Sequence, residues 1–341
     1  MSIAGVTSSN QEFEFATLEQ AAEWFAVLRS GAVTDEERRQ WHAWLDVREE
    51  HRLAWQKVEA ISNGLSLPKA APEAASAALS AAVMQRRRTL KMLSLFAVTG
   101  LVGYGVSRTS AVQTVLADLN ADYRSAVGEI RNLTLADGSE LWLNTNSSLD
   151  QQYDARIRRV TLRKGEVMIA THPDTQSPPR PFIVYSAEGS LRALGTRFSV
   201  RQLDGKTRLS VFEGRVEITP LDAQAGSRII ESGQQVDFNR SEVVSAIAVD
   251  QTQQAWSRGL LVADNMTLGA FIEELARYHS GYLACDPAVA DLRVVGGFPL
   301  NQAHQALAML EASLPVKVHE TFPWWVTVRA RPSPLEKQLE K

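Results

Sequence analysis

Apolar residues recur at helical spacing through the first sixty residues, at alternate positions through the middle of the chain, and in mixed periods toward its end. Leu18, Ala21, Ala22, Phe25 and Leu28 predict an amphipathic helix over 18–29, with Gly31 as its stop. Thr34 followed by Glu37 has the form of a capping box and predicts a second helix carrying Trp41, Trp44 and Leu45. A third runs from about Glu49 to Ile61, with Ala54, Trp55, Val58 and Ile61 on one stripe and Ser62, Asn63, Gly64 and Pro68 ending it. The alanine-rich stretch 70–84 predicts a fourth helix or a helical linker. Trp24, Trp41, Trp44 and Trp55 fall in this short region, where the first role expected of them is packing of a small all-α bundle.

From about 122 to 248 the period changes to two. Leu141 and Leu143, Val160 and Leu162, Phe182 and Val184, Phe198 and Val200, Leu209 and Val211, and Val216 and Ile218 form alternating pairs. Between the runs stand Asp137-Gly138, Lys164-Gly165, Glu188-Gly189, Asp204-Gly205, Glu213-Gly214 and Ser232-Gly233, which predict antiparallel hairpins. The expectation is an all-β domain over 115–248, sandwich- or solenoid-like, with Pro178, Pro179 and Pro181 marking a loop. Residues 252–330 predict a small α+β unit: a strand at 260–262, a helix from Met266 to Tyr278, strands at 281–285 and 292–298, a helix at 301–313, and a hairpin over 315–329 containing Pro323, Trp324 and Trp325. A polar tail, 331–341, follows.

Charge divides the chain further. The whole sequence of 341 residues has a net charge of -3, yet residues 1–85 carry 12 acids and 7 bases, a net of -5. Arg86, Arg87, Arg88 and Lys91 come next, and residues 92–107 hold no charge before Arg108. Sixteen residues make a helix of about 24 Å, which Thr89, Leu90 and snorkelling Lys91 and Arg108 extend toward a bilayer core of about 30 Å. A single transmembrane helix over 89–108 is expected, with the basic flank placing 1–85 in the cytoplasm and the C-terminus in the periplasm. An acidic bundle is unsuited to direct nucleic-acid binding and suited to masking a basic protein surface. The one cysteine, Cys285, excludes an intramolecular disulfide and reads as a packed thiol.

Candidate chemistry is sparse. His42, His51, His172, His279, His304 and His319 have no metal-ligand spacing, no phosphate loop is present, and no nucleophile with base and acid stands out. Glu273 and Glu274 are adjacent on a helix and point to different faces. No cofactor, metal or enzymatic turnover is expected.

Several strings resemble the FecR family of transmembrane anti-sigma regulators of iron uptake. Residues 21–61 (AAEWFAVLRSGAVTDEERRQWHAWLDVREEHRLAWQKVEAI) are similar to the family's cytoplasmic domain. The β region carries VGEIRNLTLADGSELWLNTNSSL (127–149), RRVTLRKGEVMIAT (158–171), RPFIV (180–184), LGTRFSV (194–200) and VFEGRVEI (211–218) in family order. More loosely, the last unit resembles the short N-terminal signalling fold of secretins and TonB-dependent receptors.

The resemblance implies a relay. A TonB-dependent receptor loaded with a siderophore or haem presents its signalling domain in the periplasm, proteolysis by periplasmic and intramembrane proteases follows, and an extracytoplasmic-function sigma factor is released or activated. It makes Trp24, Trp41, Trp44 and Trp55 candidates for sigma-factor contact and Trp324 and Trp325 candidates for receptor contact. It also implies self-cleavage between Gly195 and Thr196 in Leu194-Gly195-Thr196-Arg197-Phe198, where a threonine hydroxyl attacks the preceding carbonyl. A plainer role is a turn at Gly195 and a strand at Thr196. A membrane-anchored envelope scaffold or secretin-associated protein is the alternative function, but it leaves the tryptophan-rich bundle without a task.

Overall fold

The computed structural model describes residues 4–66, 121–222 and 226–332, with side chains described from Glu14 and not at 65 and 66. The predicted helix at 70–84 and the span at 89–108 lie outside them. Among the described residues no helix is long and apolar enough to cross a membrane.

Three helices open the chain: α1 (Ala4–Arg29), α2 (Asp35–Val47) and α3 (Glu49–Ser66). The capping box forms at the start of α2, with Thr34 Oγ1 accepting from the Glu37 amide at 3.2 Å and Glu37 Oε2 accepting from the Thr34 amide at 2.7 Å. Leu18, Ala21, Ala22 and Phe25 of α1 are buried with Ala54 and Val58 of α3, whereas α2 buries no residue fully. Ser62, Asn63 and Gly64 do not stop α3. The cost of about 1 kcal/mol for a glycine is outweighed where the turn keeps its hydrogen bonds and buries Ser62.

Two seven-stranded sheets follow. The first contains, in spatial order, β1 (Tyr123–Arg124), β4 (Ser148–Tyr153), β5 (Arg158–Lys164), β7 (Phe182–Tyr185), β8 (Gly189–Ala193), β11 (Arg215–Pro220) and β12 (Arg228–Glu231). The second contains β14 (Ile247–Ala248), β13 (Gln234–Phe238), β10 (Lys206–Glu213), β9 (Arg197–Leu203), β6 (Glu166–Ala170), β3 (Glu140–Leu143) and β2 (Arg131–Thr134). Neighbours are antiparallel except β5 and β7, which run parallel. The six alternating pairs read from the sequence all point into one core between the sheets.

The turn signals divide into two kinds. Asp137-Gly138, Glu188-Gly189 and Asp204-Gly205 do join hairpins, β2 to β3, β7 to β8 and β9 to β10. Lys164-Gly165, Glu213-Gly214 and Ser232-Gly233 instead carry the chain from one sheet to the other. These corners share the left-handed glycine that a turn needs, at φ +82, +74 and +83°, so the dipeptides look alike in the sequence.

The last unit has a 3-10 turn (Gln251–Arg258), β15 (Leu260–Thr267), α4 (Leu268–Ala276), β16 (Tyr282–Cys285), β17 (Arg293–Pro299), α5 (Ala303–Ser313), β18 (Val316–Phe322) and β19 (Trp325–Ala330). Met266 lies in a strand rather than in the helix expected to start there. Thr267 caps α4 by accepting from the Ala270 amide at 3.3 Å, which moves the start to Leu268. Its α4 and α5 pack with β15 to β19 around a second core, which also takes Met168, Phe212 and Trp142 from the outer face of the second sheet. That sheet is therefore covered on both faces, which explains the unbroken burial of Glu166 through Ile169 in β6. The helical bundle also touches this unit: Phe25 packs edge-on against Phe322 and Trp324 at 5.8 and 5.9 Å, and Glu19 pairs with Arg329.

Candidate cleavage site and its surroundings

Leu194, Gly195 and Thr196 form the corner that takes the chain from β8 in the first sheet to β9 in the second. Gly195 is exposed at φ +75°, the left-handed conformation that glycine adopts without a steric cost. Thr196 is 5% exposed, and its Oγ1 is buried with no hydrogen-bond partner among the described residues. A lone buried hydroxyl costs about 1–3 kcal/mol. The Gly195–Thr196 peptide bond is thus flanked by a residue that solvent reaches and a buried hydroxyl with no partner among the described residues.

The backbone of Thr196, by contrast, is held tightly. Its amide donates to Thr171 Oγ1 at 2.9 Å, and its carbonyl accepts from the Thr171 amide at 3.0 Å and from Thr171 Oγ1 at 3.2 Å. Thr171 follows β6 directly. The β10–β11 corner presses from the other direction, where a Cβ on Gly214 would stand 2.1 Å from the Gly195 carbonyl oxygen and 2.9 Å from Thr196 Cγ2. The next residue, Arg197, lies over the Trp142 ring at 5.0 Å and donates to Gln254 of the C-terminal unit at 3.3 Å.

An ionic network fastens the C-terminal unit to the second sheet. Arg277, after α4, donates to Glu166 at 2.7 Å and pairs with Glu274, which also takes Arg201 at 3.0 Å. Asn144 donates to Glu166 at 2.9 Å and accepts from the Tyr278 hydroxyl at 2.7 Å. Burial pushes the Glu274 carboxyl upward, but Arg277 and Arg201 outweigh it and leave it below the usual carboxylate range. Beside this network lies a cleft of about 510 Å³ whose bases are already paired, Arg201 with Glu274 and both Lys206 and Arg208 with Asp237.

The tryptophans separate into groups. Trp24, Trp41, Trp44 and Trp55 are all partly buried. Trp41 packs on Trp55 at 4.9 Å, and Trp44 stacks on His51 while donating to Gln20 at 2.9 Å. The indole N–H groups of Trp24 and Trp41 are buried and find no acceptor among the described residues. Trp324 stacks on Phe322 at 5.0 Å, and Trp325 is 1% exposed beneath the α1 contact. Burial and Asp286 push the Cys285 thiol up to about 12, which keeps it protonated. Among the described residues no three His, Cys, Asp or Glu side chains converge as a metal site. Sequence reasoning missed Thr171 and Gly214, because only the fold brings residues 171, 195 and 214 together.

Comparison with known proteins gives matches to two family profiles. Residues 121–217 match "FecR protein", from β1 into β11, and residues 19–61 match a domain of unknown function (DUF4880), from α1 into α3. Two crystal structures of a protein from Parabacteroides distasonis, named as a candidate anti-sigma factor, are similar at 22% identity. One covers 61% of this chain and 97% of its own with a TM-score of 0.48; the other covers 62% and 99% with 0.49. No curated protein matches the chain.

Proposed function

We propose that this member of the FecR family is an inner-membrane anti-sigma factor that relays a signal from an outer-membrane receptor to an extracytoplasmic-function sigma factor. One observation carries the reading: a single chain joins an acidic helical domain matched over 19–61 to a FecR domain over 121–217, with the uncharged run 92–107 between them. A single span there leaves the bundle in the cytoplasm and the two later units in the periplasm. The bundle's net negative charge favours a basic partner surface. α2 is suited to that contact, because Trp41 and Trp44 are only partly buried.

The signal, in this reading, is a TonB-dependent receptor carrying an iron chelate, siderophore or haem. Its signalling domain meets the hairpin that bears Trp324 and Trp325, and regulated proteolysis by periplasmic and intramembrane proteases then frees the bundle. A chain crossing the membrane once cannot keep Phe25 on Phe322 and Trp324, so in this reading the aromatic hairpin stands free of α1 and open to the receptor.

Within the β domain, Gly195–Thr196 is a self-cleavage bond. Thr196 Oγ1 attacks the Gly195 carbonyl carbon, its proton passes to the Thr196 nitrogen, and the C–N bond breaks to leave an ester and a free amine. Water then hydrolyses the ester to a Gly195 carboxylate and restores the hydroxyl. The unpartnered Thr196 hydroxyl and the left-handed Gly195 support this reading.

Co-purification of the full chain from membranes tests the main proposal. A sigma factor is the expected partner; recovery of envelope proteins alone overturns it in favour of a scaffold. Topology is checked by cross-linking a Glu19→Cys, Arg329→Cys chain in a Cys285→Ser background. The membrane-inserted protein is expected to form no intramolecular disulfide, and full cross-linking there overturns the single span.

A further inference from the structure

We propose that Thr171 and Gly214 are positioning residues for scission of the Gly195–Thr196 bond, an inference that rests on the self-cleavage reading. The attacking oxygen and the carbonyl carbon belong to adjacent residues, so the attack closes a five-membered ring of Oγ1, Cβ, Cα, N and C. Closure depends on the Thr196 backbone being held while its side chain stays free to turn. Thr171 provides the first condition: its hydroxyl accepts from the Thr196 amide and donates to the Thr196 carbonyl, and its own amide donates to the same carbonyl. One side chain therefore grips both ends of the nucleophilic residue. Thr196 Oγ1 has no hydrogen-bond partner among the described residues, so no such bond holds the hydroxyl back, which meets the second.

Thr171 also bears on the bond that breaks. The Thr196 nitrogen is the leaving group, and the hydrogen bond from its N–H to Thr171 Oγ1 raises electron density on that nitrogen as it leaves the amide plane. The proton from Thr196 Oγ1 then completes the amine. Thr171 remains an acceptor throughout and exchanges no proton, so the step balances as written above.

Gly214 acts by its lack of a side chain. The Gly195 carbonyl lies where a Cβ of residue 214 would be, at 2.1 Å, with the Gly195 carbonyl carbon at 3.1 Å. Any other residue at 214 pushes the carbonyl away from its place and alters its approach angle to Oγ1. The two corners, β8–β9 and β10–β11, are in this way built against each other around the reacting carbonyl.

The test is a time course of full-length protein on denaturing gels, with and without hydroxylamine to trap the ester, for Thr196→Ala, Thr171→Val, Thr171→Ser and Gly214→Ala. Thr196→Ala is expected to abolish the fragments 1–195 and 196–341. Thr171→Val, which removes both hydroxyl hydrogen bonds to Thr196, is expected to slow their appearance about tenfold, and Thr171→Ser to restore the rate. Gly214→Ala is expected to slow cleavage as well, with the thermal midpoint of each variant reporting its fold. Unchanged cleavage in Thr196→Ala removes the underlying reading. Blocked cleavage in Thr196→Ala with a normal rate in Thr171→Val overturns the positioning role alone. Equal slowing in Thr171→Val and Thr171→Ser also overturns it, since the hydroxyl is then immaterial. These Thr171 outcomes decide the matter even if Gly214→Ala fails to fold.

Discussion

Thr196 is the residue at which stability and the proposed chemistry diverge. A buried hydroxyl with no partner weakens the fold, so replacing it with an isosteric apolar side chain relieves that cost. Thr196→Val is expected to raise unfolding free energy by about 1 kcal/mol in urea denaturation, and a loss of more than that would show that the hydroxyl is paired after all. Asp137 is the opposite case. Burial pushes its carboxyl upward, but hydrogen bonds from Ser139 and Arg158 outweigh this and hold it below its ordinary value. Arg158 meets it at 2.7 Å, with both side chains more than nine-tenths buried. In the sequence Asp137 is legible only as half of a turn dipeptide. Its partner comes from a strand twenty-one residues later, and no local pattern announces that pairing.

Elements were legible where one face alone decides their period. The twelve alternating residues of the β region all entered the inter-sheet core, since a half-buried strand must place every second side chain on the same face. The capping box also formed as its spacing required. Thr34→Ala is expected to cost about 1 kcal/mol, read as an earlier thermal loss of helical circular dichroism, and an unchanged midpoint would show that α2 is fixed by packing instead. Corners between sheets were not legible, because Lys164-Gly165 and Asp204-Gly205 present the same local signal and differ only in where the following strand finds a neighbour. Gly165 shows the difference structurally: a Cβ there would stand 2.0 Å from Ser147 Oγ, on the strand-to-strand path, whereas Gly205 has open space. The run Val167 to Ala170 held a clue, since it is apolar where alternation is expected and so points to a sheet covered on both faces.

At the scale of the molecule, the C-terminal unit is fastened to the second sheet by apolar packing and by charge. Glu274 and Asp137 both have carboxyls below their unfolded values, so their stabilisation is complete above an unfolded pKa of about 4 and is lost as pH falls through the lower folded value. Acid titration followed by tryptophan fluorescence is expected to show a stable fold down to about pH 4 and cooperative loss below it. Arg277→Ala should move that loss to higher pH, and an unshifted curve would mean the network contributes little. Strand order makes a further prediction. β9 pairs with β6, and β11 with β8, so both sheets bind residues before the Gly195–Thr196 bond to residues after it. Cleaved protein is expected to elute as one species in native buffer and as two fragments in denaturant; separate native elution would contradict the shared sheets. Cutting this bond therefore does not release anything by itself. In the proposed relay it would turn one chain into two halves held by strand ladders, a shared core and the ionic network, none of them covalent, so that a pull from a receptor could part them. In that relay, tension would set the moment of signalling, and the proposed cut would set how little tension is enough.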